Sequence, residues 1–363
     1  MKIIRPFLIV LIIFLAVIVV GQNFSVWQER QSLKFDRKII EENPSLEIWS
    51  SSNNEVEEIK EDDSLELRFL FFGDLMLDRH VGEIINRQGL DSLFSLAEAE
   101  SFFENYDLIS ANLEGAVTNE GQHYPPHNLY DFAFKPEIIK ELKKYNINFF
   151  NLANNHLSDQ GRIGIEETYR NLSQLGFYYS GCQDAHLAFT TSSESVILGE
   201  EMPILDFNNC SDVVLEIKGE RIVFLGFSSV YRDIDEQEVL NRIKDLKDNN
   251  DLVIVNVHFG QEYQERANDK QRSLARAMVE AGADLIIGHH PHVVQDYEVY
   301  QDKPIFYSLG NFIFDQYFSD KTQEGLAIEV NFKKDSEIYK IDFKPYLIKT
   351  KQSSISQILE ILP

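Results

Sequence analysis

From Leu65 onward the chain alternates between two hydrophobic rhythms. Short runs that are apolar on both faces (LELRFLFFG, DLISANLE, INFFNLANNH, ERIVFLGFS, DLVIVNVHFG, ADLIIGHH and KPIFYSLGNF) predict buried strands. Between them, stretches whose apolar residues recur every three or four positions predict helices: VGEIINRQG, LDSLFSLAEAESFFENY, KPEIIKELKKYN, RIGIEETYRNLSQLG, DEQEVLNRIKDLKDN and RSLARAMVEAG. Pro136 stands in the first turn of one helix and Gly176 closes another, which suits proline at a start and glycine past an end. Strands apolar on both sides, alternating with helices, specify an α/β domain whose sheets are covered by helices.

The N-terminus follows a different pattern. Lys2 and Arg5 precede an uncharged apolar run from Pro6 to Gly21, close to the roughly 20 residues that span a bilayer. Residues 1–21 are expected to be an uncleaved membrane anchor, with a cleaved signal and a secreted form as the alternative. The positive flank then stays in the cytoplasm, and the single-pass chain carries its domain on the extracytoplasmic side of the cell membrane. Residues 22–64 are polar and acidic without a sustained period and read as a linker; 65–350 form the domain and 351–363 a C-terminal tail. Cys182 and Cys210 are the only cysteines, and the sequence leaves open whether they pair.

Composition narrows the partners. A chain of 363 residues that is 44% apolar and 12% aromatic can bury a full core. Its formal charge of −25 repels nucleic acid through the average field and draws divalent cations in.

Polar residues fall at a recurring place. Asp74, Glu114, Asn155 with His156, His258, and the trio His289, His290 and His292 each come at or just past the carboxyl end of an apolar strand. In α/β sheets those ends converge on the ligand crevice, so residues spread over two hundred positions can meet there. Carboxylates, an amide oxygen and imidazoles without thiolates suit Mn, Zn or Fe. His290 and His292 are spaced i, i+2 around Pro291, which predicts an extended segment turning both rings to one side. His289 is the odd member and reads as a residue behind the ligands.

The segments GDLMLDR, ANLEGAVT, NNHLSDQG, VHFGQEYQ, ADLIIGHHPHVVQ and KPIFYSLGNFIFD occur in the order typical of the CapA/PgsA family, which the chain resembles over roughly Leu65 to Asp315. These are membrane-anchored proteins of poly-γ-glutamate capsule synthesis within the calcineurin-like metallophosphoesterase superfamily. The resemblance implies a four-layer αββα sandwich of two mixed sheets with a metal centre of two divalent ions. It implies Asp74, Glu114, Asn155, His258, His290 and His292 as metal ligands and His156 as the catalytic general acid. One departure stands out: the superfamily's D-x-H motif has Met76 where its imidazole would be, and Glu262 is a carboxylate that could compensate or stand behind the ligands. Arg79 either holds an anionic group of the substrate or pairs with Asp78 or Glu114, and Asn311 either orients a ligand or caps a turn. The resemblance implies a metal-dependent phosphoester hydrolase acting on a phosphoester or an anionic polymer. Two alternatives stay open: a non-catalytic accessory subunit beside membrane-bound polymer synthase subunits, or a metal-dependent amide hydrolase acting on γ-glutamyl polymer.

Overall fold

The computed structural model describes residues 65–94, 102–119, 130–182, 195–201, 211–230, 234–336, 338–352 and 357–362, so the expected anchor and linker lie outside the described residues. Along the chain the strands are β1 (Glu66–Leu75), β2 (Leu108–Leu113), β3 (Ala116–Val117), β4 (Ala133–Phe134), β5 (Phe149–Asn151), β6 (Tyr178–Ser180), β7 (Val196–Ile197), β8 (Asp212–Ile217) and β9 (Glu220–Ser228). They continue as β10 (Leu252–His258), β11 (Leu285–His289), β12 (Tyr297–Tyr300), β13 (Lys303–Phe306), β14 (Asn311–Ile313), β15 (Glu324–Asp335), β16 (Ile338–Gln352) and β17 (Gln357–Leu362). The helices are α1 (Arg79–Gln88), α2 (Pro136–Glu141), α3 (Gly161–Gln174), α4 (Glu236–Lys247) and α5 (Asp269–Ala281).

Local chemistry accounts for the helix ends. Asp78 caps α1 by accepting from the Arg79 amide, and Asp235 caps α4 by accepting from the Glu238 amide. At α5 the Asn268 and Gln271 side chains satisfy each other's backbone amides, and Gly282, at φ 119°, closes the helix.

Two mixed sheets result. The first runs β17-β16-β15-β1-β2-β5-β6, with β14 also parallel to β1; the second runs β12-β13-β11-β10-β9-β8-β7. Around β1, β2, β5 and β6 the pairing is parallel, and so it is around β9, β10, β11 and β13, so the carboxyl ends within each group point one way.

The two-residue period of the second sheet divides the core. Ile222 and Phe224, Leu252 and Ile254, and Leu285 and Ile287 pack with residues of the first sheet. Their neighbours Val223 and Leu225, Val253 and Val255, and Ile286 pack with Val239 and Ile243 of α4 and with Leu274 and Met278 of α5. Phe224 marks the contact between the sheets: its ring centroid is 4.4 Å from that of Phe149 and 6.1 Å from that of Phe69. On β6, α3 lays Tyr169 in a stack over Tyr179 at 5.5 Å.

The helix expected over LDSLFSLAEAESFFENY falls mainly on residues 95–101, outside the described residues; before them Leu90–Leu93 form a 3-10 turn, and Phe102 after them is helical. The chain past 350, expected as a tail, instead completes the first sheet: β16 extends to Gln352 and β17 pairs with it in antiparallel register from Leu347↔Leu362 to Gln352↔Gln357. The long β15–β16 hairpin is half-exposed and interleaves lysines with apolar residues, so it lacks the continuous apolar run that marked the inner strands. On the pairing that the sequence leaves open, Cys182 is disulfide-bonded, while Cys210 lies outside the described residues.

Where β1 meets the chain before β14 the backbones nearly touch. The Asp74 amide donates to the Gly310 carbonyl at 2.9 Å, and a Cβ on Gly73 would sit 1.9 Å from that same oxygen. Only glycine permits the approach that sets Asp74 at the strand end. Gly73→Ala should therefore destabilise the fold by about 3 kcal/mol, read as a lower urea midpoint; an unchanged midpoint would show that the crossing can open without cost.

Candidate metal centre

The carboxyl ends of β1, β2, β10 and β11, and the turn after β5, bring the polar residues into one buried pocket. Asp74 and Glu114 are fully buried, and one amide group, Asn112 Nδ2, donates to both, to Asp74 Oδ1 at 2.9 Å and Glu114 Oε1 at 3.1 Å. Asn112 reaches Glu114 because it stands near the end of β2, two residues before Glu114, which comes just past that end. Its own carbonyl oxygen accepts from Asn151 Nδ2 at 2.8 Å, which fixes the amide's direction. His258 closes this side, with Nε2 2.7 Å from Asn155 Oδ1 and 3.6 Å from Glu114 Oε1.

His292 lies against Asp74 from the second sheet, with Nδ1 3.2 Å from Asp74 Oδ2 and 3.0 Å from Asn311 Oδ1. Asn311 Nδ2 donates to the Thr322 carbonyl at 2.9 Å and to Gln316 at 3.2 Å, so the Asn311 oxygen is the atom turned to the imidazole. That arrangement keeps the proton on Nδ1 and leaves Nε2 of His292 with its lone pair. Asn311 thus orients a histidine and does not cap a turn. His289 stands behind Asp74, with Nδ1 3.5 Å from Oδ1, and His290 packs its ring 4.9 Å from that of His258.

The His290–His292 segment departs from the expected extended form. His290 has φ 99° and His292 φ 57°, so the backbone on either side of Pro291 is left-handed and the rings meet the pocket through turns. Proline restrained its own φ and not those of its neighbours. Arg79 also departs from expectation: its guanidinium pairs with Asp315, Nε to Oδ2 at 3.0 Å, and not with Asp78 or Glu114. Asp78 is occupied instead with the Arg79 and Ala133 amides. The Arg79 guanidinium rests over the Tyr130 and Phe132 rings at 5.4 and 5.6 Å, and Phe132 in turn lies 4.2 Å from the His156 ring.

His156 is held by a carboxylate. Its Nδ1 is 2.7 Å from Asp159 Oδ2, and that oxygen also accepts from the Phe132 amide at 2.8 Å. Burial raises the Asp159 carboxyl despite the opposing pull of His156.

The electrostatics of the pocket oppose one another. Burial would raise the Asp74 carboxyl, but hydrogen bonds from His289 and His292 hold it well below the usual range. Glu114 is pushed well above that range by burial and by the Asp74 charge beside it. His258 is pulled well below 6.5 by burial and by His290, and His290 is pulled down to about 3 by burial and by His292. Two buried carboxylates thus face imidazoles that resist protonation, and Glu114 Oε2 and His290 Nδ1 are buried without a hydrogen-bond partner. Such orphaned donor atoms are costly unless a cation satisfies them. One oxygen or nitrogen from each of Asp74, Glu114 and His258 lies within 4.8 Å of the others, and the same holds for Glu262, His290 and His292. The donor set fits divalent ions on both the chemistry and the unsatisfied atoms.

Sequence reasoning missed Asn112, Asp159 and Asp315. The first was accessible from its two-residue spacing to Glu114 on a strand; the other two depend on turns and a chain crossing that no periodicity reveals.

The family model described as "Bacterial capsule synthesis protein PGA_cap" matches residues 68–316. The chain belongs to that family. It is 31% identical over 305 residues to the capsule biosynthesis protein CapA of Bacillus anthracis, covering 78% of this chain and 68% of that one. With the PGA biosynthesis protein CapA of Bacillus subtilis it shares 34% over 270 residues, 73% of this chain and 67% of the relative. A probable polyglutamine synthesis accessory protein of Mycobacterium tuberculosis is 25% identical over 279 residues, 73% and 68% of the two chains.

Neutral buried imidazoles make the stability of the metal-free protein depend on pH. Unfolded histidines titrate near 6.5, whereas His258 and His290 take protons only at lower pH in the fold. Their contribution is complete above 6.5 and is lost as pH falls, by about 1.4 kcal/mol per pH unit for each histidine. Glu114, shifted up, acts in the opposite direction, because its buried charge stops costing stability once protonated. In metal-free Glu114→Gln protein, where that offset is gone, the urea midpoint should fall steadily from pH 6.5 to 4.5. A flat midpoint would mean the imidazoles are solvated.

Proposed function

We propose that this chain is an accessory protein of capsule or poly-γ-glutamate synthesis whose domain carries a divalent-metal centre that hydrolyses phosphoester bonds. Family membership and the names of its relatives support the first part; the second rests on the pocket. The observation that carries it is His156, anchored through Nδ1 to the buried Asp159 beside the ligand cluster. His156 belongs to neither candidate ligand group, so a carboxylate-oriented imidazole beside them suits proton transfer.

Asp74, Glu114, Asn155 and His258 would hold one ion and His290 and His292 the other. Bound there, divalent ions would supply Lewis acidity to a phosphoryl oxygen and make water acidic enough to ionise near neutral pH. The chain's own residues do the rest. Asp159 fixes the His156 tautomer and keeps Nε2 turned from the bond, so Nε2 is the atom that gives its proton to the leaving oxygen. Asn311 and Asn112 hold His292 and the two carboxylates in place without carrying charge. Asp315 and the flanking rings restrain Arg79, whose remaining N–H groups offer a fork to an anionic group of the substrate.

The non-catalytic accessory reading, beside membrane-bound synthase subunits, keeps a specific support. At the pocket's outer side Arg79 is already paired with Asp315 and Glu262 is exposed, so a polyanion meets little net positive charge. An amide of γ-glutamyl polymer is the remaining alternative for the bond cleaved. Among the described residues no helix is long and apolar enough to cross a membrane; anchoring through residues 1–21, with the domain outside the cell, is part of the proposal and predicts recovery of the chain in the membrane fraction.

Chelation of the purified full-length protein should abolish hydrolysis of a generic phosphomonoester or diester, and Mn or Zn should restore it. His156→Ala should lower kcat by about 10²- to 10⁴-fold with metal content unchanged. Activity indifferent to both chelator and His156→Ala would leave the accessory reading standing alone.

A further inference from the structure

Met76 stands where the resemblance places an imidazole, and it is fully buried with its sulfur 3.1 Å from the Asp78 amide. A thioether so placed is a poor ligand for the hard and borderline ions that the pocket's carboxylates favour. One ion position is therefore short of a donor. We propose that Glu262 supplies it, so that Glu262, His290 and His292 form the ligand set of the second ion, on the solvent side of the centre. This rests on the metal-centre reading above.

Three observations carry the inference. A Glu262 carboxylate oxygen lies within 4.8 Å of a ring nitrogen of both His290 and His292. His290, 5% exposed, keeps its Nδ1 buried with no hydrogen-bond partner, a donor atom with nothing yet to bind. The loop bearing Glu262 is also fastened to the histidine segment and not left to swing: the Phe259 amide donates to His289 O at 3.1 Å, the Tyr263 amide to Pro291 O at 2.8 Å, and Gln295 Nε2 to Gln264 O at 2.8 Å. Tyr263 adopts φ 63° to make its contact, a conformation that a non-glycine residue holds only when its surroundings impose it. The backbone thus fixes the carboxylate opposite the two imidazoles, as a ligand site requires.

The neighbouring carboxylate supplies the contrast. Glu265, on the same loop, forms an ion pair with Lys321 at 3.2 Å and belongs to no ligand group. Exposure of Glu262 has a further consequence: the ion it binds is the one of the two that exchanges with solvent and meets the substrate first, while Asp74, Glu114 and His258 hold theirs in the buried interior.

The test uses the full-length chain, stripped by chelator and titrated with Mn²⁺, with bound metal counted by elemental analysis and followed by electron paramagnetic resonance. Wild-type protein and the Glu265→Gln control should bind two equivalents and give the broadened spectrum of two coupled ions. Glu262→Gln and Glu262→Ala should keep one equivalent, lose the coupling, and bind the second ion at least ~10-fold more weakly, with the far-ultraviolet circular dichroism unchanged. Two equivalents at wild-type affinity in both variants would overturn the assignment of Glu262 alone and leave the metal centre intact. Loss of both ions together would overturn it too, because the buried ligand group does not use Glu262. Wild-type protein that takes up no ion would sink both this inference and the reading beneath it.

Discussion

Everything about this site follows from placing two carboxylates, Asp74 and Glu114, in a dry pocket where one amide group bridges them. Burying one unpaired carboxylate costs several kcal/mol, and a second beside it adds like-charge repulsion. The surrounding imidazoles of His258 and His290 are themselves held neutral by burial, so protonating them does not relieve the charge. Divalent ions would, and an ion at each candidate ligand group would also satisfy Glu114 Oε2 in one and His290 Nδ1 in the other. On the proposed reading, the pocket suits a metal at a cost to the stability of the metal-free fold.

The fold bears that cost through its two-sheet core. Face-to-face packing, seen where Phe224 meets Phe149 and Phe69, brings the carboxyl ends of β1 and β2 beside those of β10 and β11. Parallel order within each group sends those ends the same way, so ligands supplied by both sheets meet without any long excursion of the chain. Close backbone crossings secure the junction, Gly73 against Gly310 on one side and Gly288 against Tyr307 on the other, where an added Cβ would lie 2.1 Å from the Tyr307 oxygen. Asp74, Glu114 and His258 are thus placed at or just past rigid strand ends, while Asn155, His156, Glu262, His290 and His292 ride on turns and Arg79 opens α1.

Legibility in the sequence divides along the same line. Asp74, Glu114, Asn155, His258 and His292 could be assembled from sequence because each follows a buried apolar run, and strand ends in an α/β sheet have a known direction. The path of residues 290–292 could not: Pro291 suggested an extended segment, and the positive φ of His290 and His292 depends on tertiary contacts that no local pattern encodes. Arg79 found Asp315, 236 residues away, because the chain after β14 passes over the start of α1, a crossing invisible to periodicity. The β15–β16 hairpin was missed for a different reason, since half-exposed strands carry the mixed composition of a loop.

The central claim is that side chains from both sheets gather to bind cations. Diffraction from crystals grown with Mn²⁺, measured at the manganese absorption edge, tests it most directly. The account predicts anomalous density in the pocket bounded by Asp74, Glu114, His258, His290 and His292. An empty pocket at saturating Mn²⁺, with Glu114 protonated and hydrogen-bonded in its place, would contradict it.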